Sequence, residues 1–338
     1  MSDNNTASVS SRIAYIDFLK FVGLTGIIIA HVGAPNWLKM TRSFDVPLMV
    51  ILSSILGCNS YKKYDGKKRG LFNYYSCRIK RLVFPTWIFL VFYFLLCLVV
   101  TKKPYSAKFY IASFCLTRYG IGYVWVILMY LYSAMLTPLY SKIGFSVKST
   151  WYLLIVYVIY EIAFFYKIGT DNKLIDTTFY YIIPYGGVLT YLGYNYNQIR
   201  RKWIIVALSF SAFISLMIYY WVKMGSFQRV EILKYPPRCY YLSFGIAVSY
   251  ILLIACERND LKVYQNPIVT YISKHSMWIY LWHILVLALY EYTKLPAIWY
   301  IKLIVVYLCS LVIVYLINKV LDSIESRKDV SFLKYLRG

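Results

Sequence analysis

Four ionisable side chains lie within the first apolar segment of the chain, which runs from Arg12 to Val32. Besides Arg12 they are Asp17, Lys20 and His31. Ionisable groups inside the hydrocarbon of a bilayer are costly, so they face a bundle interior, a cavity or a partner and mark candidate sites. On an ideal helix Lys20 and His31 share a face but lie roughly 16 Å apart along the axis. The pair therefore indicates either two ends of an elongated ligand or two unrelated roles.

Asp45 opens the second apolar segment, at about the membrane depth of His31. A carboxylate at this depth can orient a histidine and stabilise its imidazolium form, as in general-base sites. An aspartate near a helix start with a proline soon after, here Pro47, is equally a normal first turn. Both interpretations stay open: Asp45 is a catalytic partner of His31 or a helix-start residue.

Arg78 and Arg81 stand where the most basic loop of the chain meets the third apolar segment. Their spacing puts both guanidinium groups on one face of a helix. Two planar guanidinium groups at that depth are suited to bind phosphate oxygens in a bidentate manner. The alternative is that both side chains extend to lipid phosphates at the membrane surface. The lysine-rich loop before them is expected to be solvated and held near anionic lipid.

The composition is that of a polytopic membrane protein. The 338 residues are 60% hydrophobic and 20% aromatic, with a mean hydropathy of +0.56. The net charge of +23 lies mainly in short loops, where the positive-inside rule and anionic lipid explain it better than nucleic acid does. The seven scattered cysteines form no C-x-x-C pair and predict neither a disulfide framework nor a metal site. The first segment lacks the features of a cleaved secretory signal, so we expect it to remain as a helix of one integral membrane domain.

Apolar windows of about 20 residues predict about ten spanning helices in an all-α bundle. Their approximate ranges are 13–33, 44–60, 81–100, 121–140, 150–167, 178–196, 203–222, 239–256, 274–291 and 297–317. The sixth carries Pro184, Gly186 and Gly187, which favour a break. The excess of Lys and Arg in the loops on the N-terminal side predicts cytoplasmic termini, with tails at 1–11 and 318–338. Lys20 then faces the cytoplasmic half of the membrane, and His31 lies near the outer end of its helix.

Several short motifs follow one another along the chain. They are Leu19-Lys20 with His31 after ten further residues, Phe44-x-x-Pro47-Leu48 with Ser53, Arg78-x-x-Arg81 with Pro85, Gly122-Tyr-Val-Trp125, Tyr235-Pro-Pro-Arg238, and Ser273-Lys-His-Ser276 through Tyr280-Leu-Trp-His283. Their order and spacing resemble the acyltransferase 3 family of integral membrane acyltransferases, whose members O-acylate sugars of bacterial surface polysaccharides and other acceptors. Lys20 replaces the arginine most common in that family, which keeps the charge but loses the bidentate geometry. Asp45 has no role that the resemblance can supply.

The resemblance implies transfer of an acetyl or other small acyl group to a hydroxyl of a cell-surface or lipid-linked glycan. Acetyl-coenzyme A is the implied co-substrate, with no permanently bound cofactor. Lys20, Arg78 and Arg81 would hold its phosphates and His31 would meet the thioester. His31 then acts as a general base or is itself transiently acylated. The expected partners are acetyl-coenzyme A, the acceptor and lipids of the cytoplasmic membrane, and no nucleic acid.

Further candidates for an acceptor site or cavity are Asp17, Trp125, Glu161, Arg238 and His283. Asp17 is three residues before Lys20 and is expected to pair with it. Glu161 faces the cavity or reaches water, and a hydrogen bond from His283 to a neighbouring helix is favoured over a second catalytic base. The rival function is a glycolipid transporter or flippase, in which the intramembrane charges line a path. A glycan polymerase is disfavoured because the loops are short.

Overall fold

The computed structural model describes residues 14–259, 261–293 and 298–325. Within these ranges the regular secondary structure is helical, with one isolated β-bridge between Lys234 and Pro237. The predicted all-α fold is therefore confirmed. Arg12, both ends of the chain and Lys294 lie outside the described residues.

The described residues contain fourteen α-helices, which differ widely in length. They are α1 Ala14–His31, α2 Asn36–Thr41, α3 Asp45–Tyr61, α4 Gly70–Thr101, α5 Ala107–Phe114, α6 Trp125–Ile143, α7 Val147–Phe165, α8 Lys173–Tyr181, α9 Thr190–Tyr194, α10 Lys202–Met224, α11 Cys239–Arg258, α12 Pro267–Lys274, α13 Ser276–Tyr292 and α14 Trp299–Glu325. A π-helical stretch, Ile182–Leu189, joins α8 to α9. Short 3-10 turns occur at Gly122–Val124, Val230–Leu233 and Lys262–Gln265.

In the part of the chain that the structure describes, eight helical units are long and apolar enough to cross a membrane. A ninth is added if α12 and α13, which meet at a bend of 78°, are taken as one broken span. The protein is therefore a multi-pass membrane protein.

Two predicted segments differ from the structure. The sixth predicted helix is built from α8, the π-helical stretch and α9, because Pro184 cannot donate to a regular helical ladder and Gly186 and Gly187 follow it. The third begins at Gly70 rather than at 81, so part of the expected basic loop is helical. A hydropathy window detects only the embedded part of such a helix, and the polar turns before Arg81 gave no apolar signal.

Helix α3 lies at the centre of the bundle and packs against α1, α6, α9 and α11. Small residues let the neighbouring helices approach closely, as is common in membranes. A Cβ added to Gly193 of α9 would lie 2.6 Å from the carbonyl oxygen of Ile51, and one added to Gly245 of α11 would lie 2.5 Å from Cγ of Pro47. By contrast, buried residues make up only 6% of the apolar window of α10, which fits a lipid-facing helix.

Helix α1 is held between α3, α12 and α13. We call the end of the bundle where α1 finishes and α3 starts the outer end, and the opposite end the inner end. This packing directs the charged residues of α1 toward the bundle. His31 is placed at the outer end, and Lys20 lies about three turns closer to the inner end.

Candidate functional site

Two histidines from helices far apart in sequence meet near the outer end of the bundle. His31, the last residue of α1, lies with its Nδ1 2.9 Å from Nε2 of His283 on α13. The imidazole planes are inclined by only 11°, with centroids 5.2 Å apart. His283 is fully buried and His31 is half-buried. The pair is a short hydrogen-bonded unit that presents His31 as its more accessible member.

The hydrogen bonds of His283 define the protonation of both rings. Its Nδ1 contacts the carbonyl oxygen of Tyr280, which can only accept a hydrogen bond. A buried histidine with no carboxylate at its nitrogens favours the neutral form. Nδ1 of His283 therefore carries the proton, and its Nε2 accepts from Nδ1 of His31. This tautomer, assigned from the hydrogen-bond pattern, leaves a lone pair on Nε2 of His31.

The turn before α6 supports the same pair. The ring of Tyr123 meets the imidazole of His31 edge to face, with centroids 4.6 Å apart. The carbonyl oxygen of Tyr123 accepts a hydrogen bond from the hydroxyl of Tyr280. Tyr280 thus contributes its carbonyl to His283 and its hydroxyl to the Tyr123 turn. The start of α6 is joined in this way to α13 and to the end of α1.

Asp45 does not make the predicted contact with His31. Its Oδ2 accepts from Nη1 of Arg42 at 2.6 Å and its Oδ1 from the backbone N–H of Val46 at 2.7 Å. The carboxylate is completely buried, and a buried charge needs a partner of opposite sign. Arg42, three residues earlier, supplies that partner. The hydrogen bonds of Asp45 are thus made to Arg42 and Val46 rather than to His31, and Asp45 is the first residue of α3, the helix-start alternative that the sequence left open.

A cavity lies between α1, α3, α4, α6 and α13, and it brings together the three cationic residues predicted to bind phosphate. It encloses about 1000 Å³, including space that opens to solvent. Lys20, Arg78 and Arg81 line its inner part. The remaining wall is mainly apolar and includes Leu24, Ile27, Met49, Leu52, Leu56, Leu82, Ile127 and Met277. The cavity thus has a mainly apolar wall, and its positive charge comes from these three side chains.

The charged groups of the cavity differ in their partners. Nζ of Lys20 lies 3.6 Å from Oδ1 of Asp17, the pairing expected from their spacing, and the same oxygen accepts from Ser273 at 2.6 Å. The guanidinium carbon of Arg78 lies 5.2 Å from the ring centre of Tyr74. Nη2 of Arg78 is buried without a hydrogen-bond partner. Because an unpaired buried donor is costly, Arg78 is a strong candidate to bind an anion.

The outer part of the cavity approaches the histidine pair. Tyr280, whose carbonyl binds His283, lines the cavity. Ile27 also lines it and precedes His31 by one helical turn. The two histidines stand next to this wall rather than within it. The cavity therefore extends along the face of α1 from the cationic residues to the wall beside the histidine pair.

Glu161 and Arg238, predicted as cavity or acceptor residues, form an ion pair that joins α7 to the start of α11. Nε of Arg238 donates to Oε2 of Glu161 at 2.6 Å. Oε1 of Glu161 accepts from the backbone N–H of Cys239 at 2.8 Å and from the hydroxyl of Tyr157 at 2.9 Å. The carboxylate thus fastens the start of α11 to α7, and neither residue lines the cavity.

Trp125, another predicted acceptor residue, is the first residue of α6 and belongs to an aromatic group at the outer end. Its ring centre lies 5.3 Å from that of Tyr235 and 5.9 Å from that of Tyr181. Nζ of Lys234 lies 5.5 Å from its ring centre. Trp125 is separated by one residue from Tyr123, which contacts His31. The aromatic group is therefore adjacent to the histidine pair.

Sequence reasoning did not assign roles to Arg42 and Lys234. Arg42 was detectable, because its i, i+3 spacing from Asp45 predicts an ion pair. Lys234 directly precedes the Tyr235-Pro-Pro-Arg238 motif, but nothing in the sequence indicates that it is buried. The sequence favoured a hydrogen bond from His283 to a neighbouring helix, yet His31 was not recognised as the partner.

The fold and site define a multi-pass membrane protein with a cavity that is lined by three cationic residues and lies beside a histidine pair. A family model described as "Acyltransferase domain" (Acyl_transf_3) matches residues 13–319. The chain belongs to the acyltransferase 3 family.

Curated relatives include proteins named "Probable poly-beta-1,6-N-acetyl-D-glucosamine export protein" from Staphylococcus aureus. The protein of strain MSSA476 is 22% identical over 266 residues, which cover 75% of this chain and 71% of the relative. That of strain Mu50 is 23% identical over the same shares. No solved structure matches the chain.

Proposed function

We propose that the protein is a membrane O-acyltransferase that moves an acetyl group from acetyl-coenzyme A to a hydroxyl of a cell-surface or lipid-linked glycan. The observation that carries this proposal is the cavity that connects Lys20, Arg78 and Arg81 with the wall beside His31 and His283. Membership of the acyltransferase 3 family supports the reaction class.

The shape of the donor matches the distribution of charge. Coenzyme A carries phosphates at one end and its thioester at the other, joined by a long flexible arm. Arg78, with its unpartnered buried nitrogen, and Arg81 would bind phosphate oxygens, and Lys20 would add a positive charge. The arm would follow the apolar wall toward Ile27 and Tyr280. The offset of roughly 16 Å between Lys20 and His31 on a straight helix suits an extended molecule of this kind.

The lone pair on Nε2 of His31 is suited to general-base catalysis. It accepts the proton of the acceptor hydroxyl while the oxygen attacks the thioester carbonyl. The tetrahedral intermediate then expels the thiolate of coenzyme A, which takes the proton back from the His31 imidazolium. The products are the O-acetylated glycan and free coenzyme A.

His283 acts on this step as a positioning residue. By accepting from Nδ1 of His31, it fixes the tautomer and the orientation of the ring. In a Ser-His-Asp catalytic triad a carboxylate has that role, and its charge also stabilises the imidazolium. His283 supplies the hydrogen bond without that charge.

The acceptor would enter from the outer end, where the more accessible histidine lies. The printed names of the relatives concern a polysaccharide of N-acetylglucosamine, which supports a glycan acceptor here. We place the protein in the cytoplasmic membrane with both termini inside, because the positively charged loops favour that orientation.

The proposal is tested with purified protein in lipid nanodiscs, acetyl-coenzyme A labelled in the acetyl group, and glycan extracted from cells that lack the gene. We expect label on the glycan and an equal amount of free coenzyme A. Labelled glycan should not form without the protein or with heat-unfolded protein. Absence of transfer to this glycan would contradict the proposal.

A second candidate is glycan export, because the relatives are named export proteins. A transporter would move a glycolipid across a liposome membrane without any acyl donor. An acyltransferase would release coenzyme A and leave the glycolipid in its original leaflet. Measuring both signals in one proteoliposome preparation separates the two functions.

A further inference from the structure

Lys234 is a buried cation whose neighbours are aromatic rings. It follows the 3-10 turn Val230–Leu233 at the outer end, and its relative exposure is only 7%. Nζ lies 5.5 Å from the ring centres of Trp125 and Tyr235 and 6.0 Å from that of Tyr241. Among the described residues it has no hydrogen bond or ion pair to a carboxylate.

The aromatic rings compensate only part of the cost of this burial. A cation–π contact stabilises an ammonium group by much less than the free energy that its removal from water costs. Glu231, three residues earlier in the chain, lies 3.7 Å from Arg229 and makes no ion pair with Lys234. Two further carboxylates are bound by other cations. Asp45 is bound by Arg42 at 2.6 Å, and Glu161 by Arg238 at 2.6 Å. Lys234 therefore retains a positive charge that an incoming anion would neutralise.

The position of Lys234 relates it to the acceptor side of the reaction. Lys234 contacts the ring of Trp125, and Trp125 follows the turn whose Tyr123 contacts the His31 ring. The phosphate-binding candidates Arg78 and Arg81 line the inner part of the cavity instead. We therefore assign a negative group at Lys234 to the acceptor rather than to a phosphate of coenzyme A bound by those arginines.

The surroundings also suit a sugar ring. The rings of Trp125 and Tyr235 are in contact beside Lys234, and the hydroxyl of Tyr181 is buried without a hydrogen-bond partner. Apolar faces combined with a few convergent polar groups are typical of small-molecule sites. A neutral sugar would satisfy the hydroxyl but leave the ammonium group without a counterion.

We propose that Lys234, with Trp125, Tyr181 and Tyr235, forms an acceptor subsite that binds an anionic group of the glycan, a carboxylate or a phosphate, close to the hydroxyl that is acylated. This inference rests on the acyltransferase function proposed above. It adds that the acceptor is an acidic glycan rather than a neutral one.

The test compares methyl β-D-glucoside, methyl β-D-glucuronide and the 6-phosphate of the glucoside as probes. Their binding to the purified protein in nanodiscs is measured by calorimetry, and their acetylation by mass spectrometry. A charge-assisted hydrogen bond predicts that one or both charged probes bind about tenfold or more tightly than the neutral one. The two charged probes distinguish a carboxylate from a phosphate ligand.

Substitutions at Lys234 give the decisive comparison. K234Q should remove the preference for the charged probes, and K234R should keep most of it. K223Q is the matched control, since Lys223 is exposed at the end of α10 and should leave the preference unchanged. Thermal unfolding verifies that each variant is folded.

Equal binding of neutral and charged probes by the wild-type protein, including no measurable binding of any probe, would overturn the subsite. So would a preference that survives in K234Q. The acyltransferase function fails in a different way: no probe and no cellular glycan would then be acetylated, even if the charged probes bound through Lys234.

Discussion

Nδ1 of His31 donates a hydrogen bond to Nε2 of His283 over 2.9 Å, and the two residues are 252 positions apart in the chain. Tyr280 fixes this arrangement because its carbonyl accepts from the other nitrogen of His283. The lone pair of His31 is consequently on Nε2, the atom available to a substrate. A neutral imidazole, rather than a carboxylate, thus orients the proposed base.

Replacing His283 should affect turnover more than donor binding. His283→Ala removes the acceptor for Nδ1 of His31, so the tautomer and orientation of the base are no longer fixed. We expect kcat to fall roughly 10²-fold, within the range that general-base catalysis contributes, while the KM for acetyl-coenzyme A changes little.

His283→Gln serves as the conservative control, because its amide oxygen can accept the same hydrogen bond. It should recover part of the lost kcat. Equal losses in the alanine and glutamine variants, with matching falls in thermal stability, would indicate that His283 only fills space.

Removing the two arginines of the cavity should weaken the donor complex. Each charge-assisted hydrogen bond to phosphate is worth about 1.5 to 3 kcal/mol, so Arg78→Ala and Arg81→Ala should each raise the KM for acetyl-coenzyme A about tenfold or more. Turnover at saturating donor should change much less. Steady-state kinetics in nanodiscs measure both quantities.

Lys80→Ala is the matched control, because Lys80 lies between the two arginines in sequence but does not line the cavity. Its donor KM should equal that of the wild type. An unchanged KM in the arginine variants would assign Arg78 and Arg81 to lipid phosphates instead.

The ion pair between Arg42 and Asp45 should be structural. Asp45→Asn leaves Arg42 buried without its counterion, which costs roughly 3 to 5 kcal/mol of stability. The double variant Arg42→Met with Asp45→Leu should recover much of this loss, because neither charge remains. Thermal or denaturant unfolding in detergent measures the change. A stable Asp45→Asn protein with little activity would return Asp45 to a catalytic role.

Glu161→Gln should loosen the junction between α7 and α11. The amide cannot neutralise Arg238, although its oxygen can still accept from the N–H of Cys239. We expect a lower unfolding temperature and an unchanged KM for acetyl-coenzyme A. A selective rise in acceptor KM without loss of stability would instead support the acceptor role considered for Glu161 from the sequence.

Much of the candidate site could be predicted from the spacing of residues within a single helix. The i, i+3 interval of Arg78 and Arg81 and the pairing of Asp17 with Lys20 depend on a single helix, and the structure places both as expected. The all-α membrane fold followed from the long apolar windows. These features are local, so periodicity is sufficient to detect them.

Features that depend on packing between distant segments were not predictable in the same way. The contact of His31 with His283 requires α1 and α13 to lie side by side, which no local pattern encodes. The burial of Lys234 likewise depends on aromatic residues from separate elements. The π-helical stretch was indicated only as a break at Pro184, because its wider turns arise from how the surrounding helices accommodate that residue.

The most direct test of the central claim is the rate at which purified His31→Ala protein transfers acetyl groups from acetyl-coenzyme A, compared with the wild type. Loss of the base should lower kcat roughly 10²- to 10⁴-fold. Donor affinity and unfolding temperature should remain close to the wild-type values, since Arg78 and Arg81 are intact. Wild-type turnover in a folded His31→Ala protein would contradict the account.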